Sequence, residues 1–409
     1  MHRAMDKNKS LTLKYALIQG LYWMSFCTVI NFAVVFLSSK GYSNESIGVI
    51  VALANVASIF TQPILASFAD KRKSISIKKI CQLLMLLSML LAILLFIIPN
   101  SFFITALLFI GIAAILLTLQ PLINSLALAY INKGISINFG LARGIGSVSY
   151  GAVSYIMGSL MDIFTSEVII PTYIIFSIFF ILAFIFFEGS SSKQDKITSE
   201  EETNTASSSD NYSYKMTLWQ FFSKYKSFSI SLLGMVMIFT SHSLLNTYMI
   251  KVVENIGGGT ADLGKAIALA AIIELPAMFS FSFMIKKIKI NTLLLISTIA
   301  FIGKSLVTLM ASSMSTIYTA QLLQFLAYAI FLPASVYYAN EAMEERDRIK
   351  GQAYLGAIMS ASGVIGSVLG GWILDRYDVS SMLLLALILP ILGSAILYIS
   401  LKEKNNFLY

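Results

Sequence analysis

The stretch EGSSSKQDKITSEEETNTASSSDNYSYK, residues 188–215, is the one long polar run in the chain. Its Ser, Thr, Glu, Lys and Asn content cannot bury a hydrophobic core, so it reads as a flexible or weakly structured linker. On either side the chain is different in kind. Six apolar runs precede it, at about residues 14–37, 45–69, 79–98, 101–130, 140–161 and 168–187. Six more follow, at about 227–250, 262–285, 290–311, 314–339, 351–374 and 379–401. Runs of about 20 residues are long enough to cross a ~30 Å hydrocarbon core as helices. The expected fold is all-α and membrane-embedded, with twelve transmembrane helices in two halves, 1–187 and 227–409, joined by a linker at 188–226.

Composition agrees. Of 409 residues, 57% are hydrophobic and only 12% charged, about half the charged share of an ordinary soluble domain. So few charges cannot cover a soluble surface of this size. The two cysteines, Cys27 and Cys81, lie in different apolar runs with no CxxC or Cys/His cluster. They read as small core residues, and no metal or cofactor is expected. The N-terminal MHRAMDKNKSLTLKYALIQ lacks a short apolar run followed by a small-residue cleavage site. It is expected to be a cytoplasmic tail leading into a retained first helix.

The net charge of +8 could suggest a nucleic-acid partner, but its placement argues otherwise. The N-terminal tail, the even-numbered loops and the C-terminal tail hold 23 of the 29 Lys and Arg residues. The odd-numbered loops hold four: Lys40, Lys251, Lys265 and Arg376. Such asymmetry is the positive-inside pattern, and it puts both termini and the linker in the cytoplasm of a cell-membrane protein. The basic excess is topological, and nucleic acid is not an expected partner.

The halves also repeat one another. A shift of 213 lays Ala57 on Ala270, Pro63 on Pro276, Ser67 on Ser280 and Phe68 on Phe281. The same shift lays Ser147 on Ser360, Ser154 on Ser367, Gly158 on Gly371 and Asp162 on Asp375. Two six-helix halves in parallel orientation are the architecture of the major facilitator superfamily, whose substrate sites lie at mid-membrane between the halves. FTQPILASFADKRK, residues 60–73, resembles the end of helix 2 and the loop after it in that superfamily, with Ala66 and Lys73 standing where the pattern has glycine. Within the superfamily, three pieces resemble the branch of lactose permease, nucleoside–proton symporters and phenylpropionate permease. They are the Gln62-Pro63 pair followed by Asp70-Lys71, FGLARGIGSVSYG at 139–151, and ALAAIIELPAMF at 268–279.

The resemblance implies roles. Arg143 corresponds to the helix 5 arginine that binds substrate hydroxyls, and Tyr150 to its aromatic helper. Arginine suits this because its planar fork offers five donors and stays charged. Lying near the cytoplasmic end of its span, Arg143 could instead snorkel to the headgroups. Glu274 lies between Lys265 and the Lys286-Lys287 pair, too far from either to reach water comfortably, so it should face a polar cavity. A carboxyl withdrawn from water can exchange protons near neutral pH, which makes Glu274 a candidate for both substrate binding and proton coupling. The alternative is a permanent ion pair with Lys304 or Arg143. Lys304 lies one residue from the register of the branch's helix 9 arginine and is read as a charge partner. His242 is a second candidate proton site, or a hydrogen-bonded packing residue. Asn31, Asn124, Asn246 and Gln324 could add to a polar substrate-binding lining. Asp70, Asp162 and Asp375 are candidate gate or junction residues; simple topological anchoring and helix termination are the plainer readings.

The chain also departs from lactose permease. Ser125 stands at the place of a helix 4 glutamate, and Tyr328 and Phe331 at those of the helix 10 histidine and proton-carrying glutamate. That galactoside site and that proton relay are not reproduced. The expected function is secondary active transport by alternating access, as proton symport of a small polar organic solute such as a sugar, nucleoside or aromatic acid. Its partners would be the solute, protons and the lipid bilayer, and the protein would act as a monomer. Proton-coupled efflux of an amphipathic compound and a non-transporting membrane sensor are the alternatives. There is no GxxxxGK[ST] phosphate loop to suggest ATP drive and no HExxH to suggest an intramembrane protease. The charge asymmetry makes the linker cytoplasmic. In a background lacking Cys27 and Cys81, a cysteine at Ser208 should resist impermeant thiol reagents in intact cells; ready labelling would reverse the orientation.

Overall fold

A computed structural model of the chain describes residues 2–71, 76–98, 101–132, 135, 137–187 and 217–406, with the side chains of 2–9, 66–71, 218 and 403–406 left aside. Most of the 188–226 linker, as well as the Asp70 side chain, thus lies outside the described residues. Among these residues there is no strand. The first half consists of α1 (His2–Phe26), a π-helical turn at Cys27–Asn31, α2 (Ala33–Ser39), α3 (Asn44–Lys71), α4 (Ile77–Ile97), α5 (Phe102–Asn132), α6 (Phe139–Phe164) and α7 (Ile169–Phe186). The second comprises α8 (Leu218–Lys224), α9 (Lys226–Thr247), α10 (Met249–Asn255), α11 (Thr260–Met284), α12 (Ile290–Leu309), α13 (Met314–Leu322), α14 (Tyr328–Ala342), α15 (Arg348–Arg376) and α16 (Val379–Asn406).

Helices are forced on this sequence, because a chain in hydrocarbon must satisfy its backbone polar groups within itself. Ten described helices are long and apolar enough to cross a membrane, and the bent pair α1–α2 makes eleven. The twelfth crossing is α6, 26 residues and so about 39 Å long. Its glycines, serines and Arg143 make it less apolar than the rest, and that is where the polar site lies. Large apolar side chains such as Phe103, Leu107, Ile163, Phe283 and Ile299 stay exposed around the bundle, as a lipid-facing surface requires. Buried tyrosines each find a partner. Tyr15 donates to the Ile123 carbonyl (3.1 Å), Tyr22 to that of Leu116 (2.9 Å), and the Tyr173 hydroxyl meets that of Ser88 (2.6 Å).

Apart from a one-residue interruption at Tyr248 between α9 and α10, two of the expected spans are broken. The first bends by 46° at its π turn, a common cause of sharp kinks and a frequent companion of functional sites. The tenth is split into α13 and α14 by a 3-10 turn at Leu323–Phe325. A third difference is that the stretch expected as linker up to 226 is helical from Leu218 to Lys224, with a capping box at Thr217 and Gln220.

The halves meet along two seams, α6 with α11 and α3 with α15. The repeat pairs Gly158 with Gly371, and both glycines are where backbones touch. A Cβ on Gly158 would stand 2.6 Å from the Thr260 carbonyl oxygen, and one on Gly371 would collide with that of Asn44. Small residues permit this approach. Asp162 and Asp375, the other repeat pair, lie beside these glycines. Asp375 accepts from the backbone N–H groups of Asn44 (3.0 Å) and Glu45 (2.7 Å), at the start of α3 in the opposite half. Asp162 accepts from the Ala261 N–H (3.2 Å) and the Thr260 hydroxyl (2.5 Å), at the start of α11. Arg376 adds an ion pair to Glu45 at 2.8 Å, and Tyr248 donates to the Ser367 carbonyl (2.7 Å) and, across the seam, to that of Asn44 (3.3 Å). The core of the first half is continuous here with Leu244, Leu245, Tyr248 and Leu263 of the second. All these contacts lie at the end of the bundle that the charge asymmetry predicts to face outward.

Candidate functional site

Between the halves lies a cavity of about 520 Å³, within the usual range for a small-molecule site. Its first-half wall carries Asn31, Asn55, Gln120, Arg143, Ser147 and Tyr150. The wall opposite carries His242, Asn246, Glu274, Gln321, Gln324 and Tyr328. Of the residues expected to bind substrate, six therefore share one cavity: Arg143, Glu274, Tyr150, Asn31, Asn246 and Gln324.

Asn124 does not line it. It sits a layer behind, where its Oδ1 accepts from Gln19 Nε2 at 3.1 Å. Lys304 is also set back, 1% exposed, and among the described residues it makes no direct ion pair with Glu274. Gln324 stands between them. Its Oε1 accepts from Lys304 Nζ at 2.6 Å and its Nε2 donates to Glu274 Oε1 at 2.8 Å. The amide dipole thus runs from buried cation to carboxylate, and both charges keep a polar contact that hydrocarbon would deny them. The 3-10 turn that breaks the tenth span carries Gln324 itself.

Arg143 is held differently. It enters from the first turns of α6, whose N-terminus Asn138 caps through the Leu141 N–H (2.9 Å). Nη1 donates to Ser147 Oγ at 2.9 Å, one turn along the same helix. The guanidinium lies over the Trp23 ring, with Cζ 4.3 Å from its centroid. No carboxylate of the described residues pairs with it. The Tyr150 hydroxyl accepts from Asn31 Nδ2, which the π turn brings to the wall.

His242 also faces the cavity. Its ring stacks on Tyr328, with centroids 4.6 Å apart and planes inclined by 14°. Asn246 Nδ2 stands 3.0 Å from its Nε2; with the amide donating, that nitrogen is the acceptor of a neutral imidazole. Tyr328 holds the place of the branch's helix 10 histidine, and Phe331, at the place of the glutamate, is buried away from solvent. Asp162 and Asp375 stand apart from the cavity, at the seams. The sequence does not single out for the site Trp23, Asn55, Gln120, Ser147 and Gln321 at the wall, nor Gln19 behind it. Trp23 had one usable signal, since tryptophan in a span favours the interfaces and this one lies near the middle of the bent first span.

The chain matches the MFS_1 like family over residues 13–385. It is similar to the uncharacterized transporter YwbF of Bacillus subtilis (strain 168), with 25% identity over 410 residues, 98% of this chain and 96% of that one. A maltose permease of Geobacillus stearothermophilus is 21% identical over 406 residues, 96% of this chain and 95% of that one. Among solved structures, an aspartate-to-alanine mutant of the nucleoside transporter NupG superposes with a TM-score of 0.79 at 13% identity, covering 95% of this chain and 99% of that one. A bacterial homologue of the human lysosomal transporter Spinster, in an inward-facing unoccupied conformation, gives 0.65 at 14% identity, covering 96% and 97%. These folds and the family match over most of the chain agree with the helical membrane-spanning bundle described above: the protein is a multi-pass membrane protein of the MFS_1 like family, within the major facilitator superfamily of transporters.

Proposed function

We propose that the protein is a proton-coupled symporter of a small, neutral, hydroxyl-rich solute, a sugar or a nucleoside, working by alternating access in the cell membrane with both termini cytoplasmic. One observation carries the reading. Arg143 from one half and Glu274 from the other face a single cavity, and each is held by uncharged groups that leave donors or an acceptor oxygen for a ligand. Arg143 can donate to a solute oxygen and a Glu274 carboxyl oxygen can accept from a solute hydroxyl in either protonation state, so a neutral solute with hydroxyls can bridge the two. The maltose permease and NupG likenesses support the same solute chemistry.

The seams supply the other half of the mechanism. With the halves joined at one end, the cavity is reached from the opposite, cytoplasmic end. Asp162 and Asp375 act as matched latches: each carboxylate receives the free N–H groups, and the positive dipole end, of a helix in the opposite half. Opening the outer end breaks both. Spin labels at Ser43 and Ser380, across the α3–α15 seam, should report this. The Asp162→Ala, Asp375→Ala double variant is expected to gain a longer-distance population; an unchanged distribution would remove the latch role.

Arg143→Lys tests solute contact. Lysine keeps the charge but not the planar fork, so uptake of radiolabelled maltose or uridine into proteoliposomes should fall at least tenfold while membrane insertion stays normal. Parent-like uptake would mean that Arg143 only snorkels.

Glu274→Gln tests coupling. It mimics the protonated carboxyl permanently, so counterflow of the transported solute should persist while accumulation driven by an inward proton gradient is lost. A variant that concentrates solute as well as the parent would move coupling elsewhere, to His242 first. Loss of both activities would make Glu274 a ligand and not the coupling group.

A further inference from the structure

Arg143 lies against an aromatic face and not against a carboxylate, and the residues behind that face form a connected support. Trp23 Nε1 donates to Gln19 Oε1 at 3.2 Å. Gln19, 1% exposed, donates through Nε2 to the Tyr15 hydroxyl (2.7 Å) and to Asn124 Oδ1 (3.1 Å). The Tyr15 hydroxyl in turn donates to the Ile123 carbonyl at 3.1 Å. The indole is therefore tied through Gln19 to two adjacent positions of α5. Its edge is fixed from the other side by α6. A Cβ on Gly146 would stand 2.6 Å from Trp23 Cδ1 and 3.2 Å from Nε1, so the seat exists only because residue 146 is glycine. Gly146 is three residues after Arg143, on the same face of α6. The helix that carries the cation thus also positions the ring under it. Tyr150 closes the arrangement edge-on, with ring centroids 5.9 Å apart.

We propose that Trp23, seated by Gly146 and steered by Gln19 and Asn124, is the positioning residue that aims Arg143 at the solute. This rests on the reading of Arg143 as a solute ligand. The indole covers one face of the guanidinium, excluding water there and offering the ring quadrupole as compensation for the missing carboxylate. Ser147 accepts one Nη1 hydrogen. The free donors then lie along the outer edge of the fork, spaced for two adjacent oxygens and matched to a vicinal diol. Asn124, which sequence alone places among the ligands, acts through Gln19 and Trp23.

The test compares Trp23→Leu, Trp23→Phe and Gly146→Ala in full-length protein reconstituted in proteoliposomes. One readout needs no solute: the rate at which phenylglyoxal modifies Arg143, followed by peptide mass spectrometry. Trp23→Leu and Gly146→Ala should raise that rate several-fold, because the covered face opens, while Trp23→Phe, which keeps a ring under the cation, should stay near the parent. The second readout is uptake of radiolabelled maltose and uridine. The first two variants should raise KM about tenfold with the maximal rate within twofold of the parent, and Trp23→Phe should restore most of the affinity. The proposal is overturned if Trp23→Leu leaves both the modification rate and KM at parent values. It is equally overturned if Phe behaves as Leu does, since the ring face would then be irrelevant. If the parent takes up neither solute, the proposed solute class fails while the modification rates still decide the role of Trp23. Should Gly146→Ala not insert, Trp23→Leu decides.

Discussion

A charge within a bilayer has no water to solvate it, and the protein must supply whatever stands in for that water. Arg143, Glu274 and Lys304 are three such charges, and much of the interior can be understood from how each is accommodated. The indole face of Trp23 accepts the guanidinium, the Gln324 amide links lysine to glutamate, and the cavity supplies the remaining polar room. None of these substitutes carries a charge of its own. Arg143 and Glu274 are thus left without a direct ionic partner at the cavity wall. A direct Glu274–Lys304 pair would have been electrostatically simpler but would have consumed the carboxylate.

The same constraint shapes the breaks in the helices. Asn31 and Gln324 reach the cavity from a π turn and a 3-10 turn, where the regular ladder of backbone bonds is interrupted. Irregular backbone at membrane depth is tolerated where it borders protein or a polar cavity, so the breaks and the site occur together. At the seams the logic is reversed. Glycines bring helices of the two halves into backbone contact, and the N–H groups left free at the starts of α3 and α11 are received by carboxylates from across the interface.

Several of these features were readable beforehand. The span count and the pairing of Gly158 with Gly371 and Asp162 with Asp375 follow from hydropathy and from a constant offset, which a duplicated fold preserves. Arg143 and Glu274 stood out because an ionisable residue in an apolar run is costly and so is kept for a reason. Neutral side chains carry no such signal. Asn124 and Asn31 look alike in sequence, each an amide in an apolar helix, yet one supports Gln19 and the other meets Tyr150 at the cavity.

What the sequence determined by itself is the class of molecule: apolar runs of membrane-spanning length, the placement of basic residues and an internal repeat leave little besides a two-fold bundle of helices. Those signals are local or periodic, and each can be read without knowing what touches what. Tertiary structure alone decided the partners. That Lys304 reaches Glu274 only through Gln324, that Trp23 lies under Arg143 at Gly146, and that each seam aspartate serves the other half all depend on helices distant in the chain coming within 3 or 4 Å. Contacts of that kind arise from the rotation and crossing of packed helices, which hydropathy and periodicity do not encode.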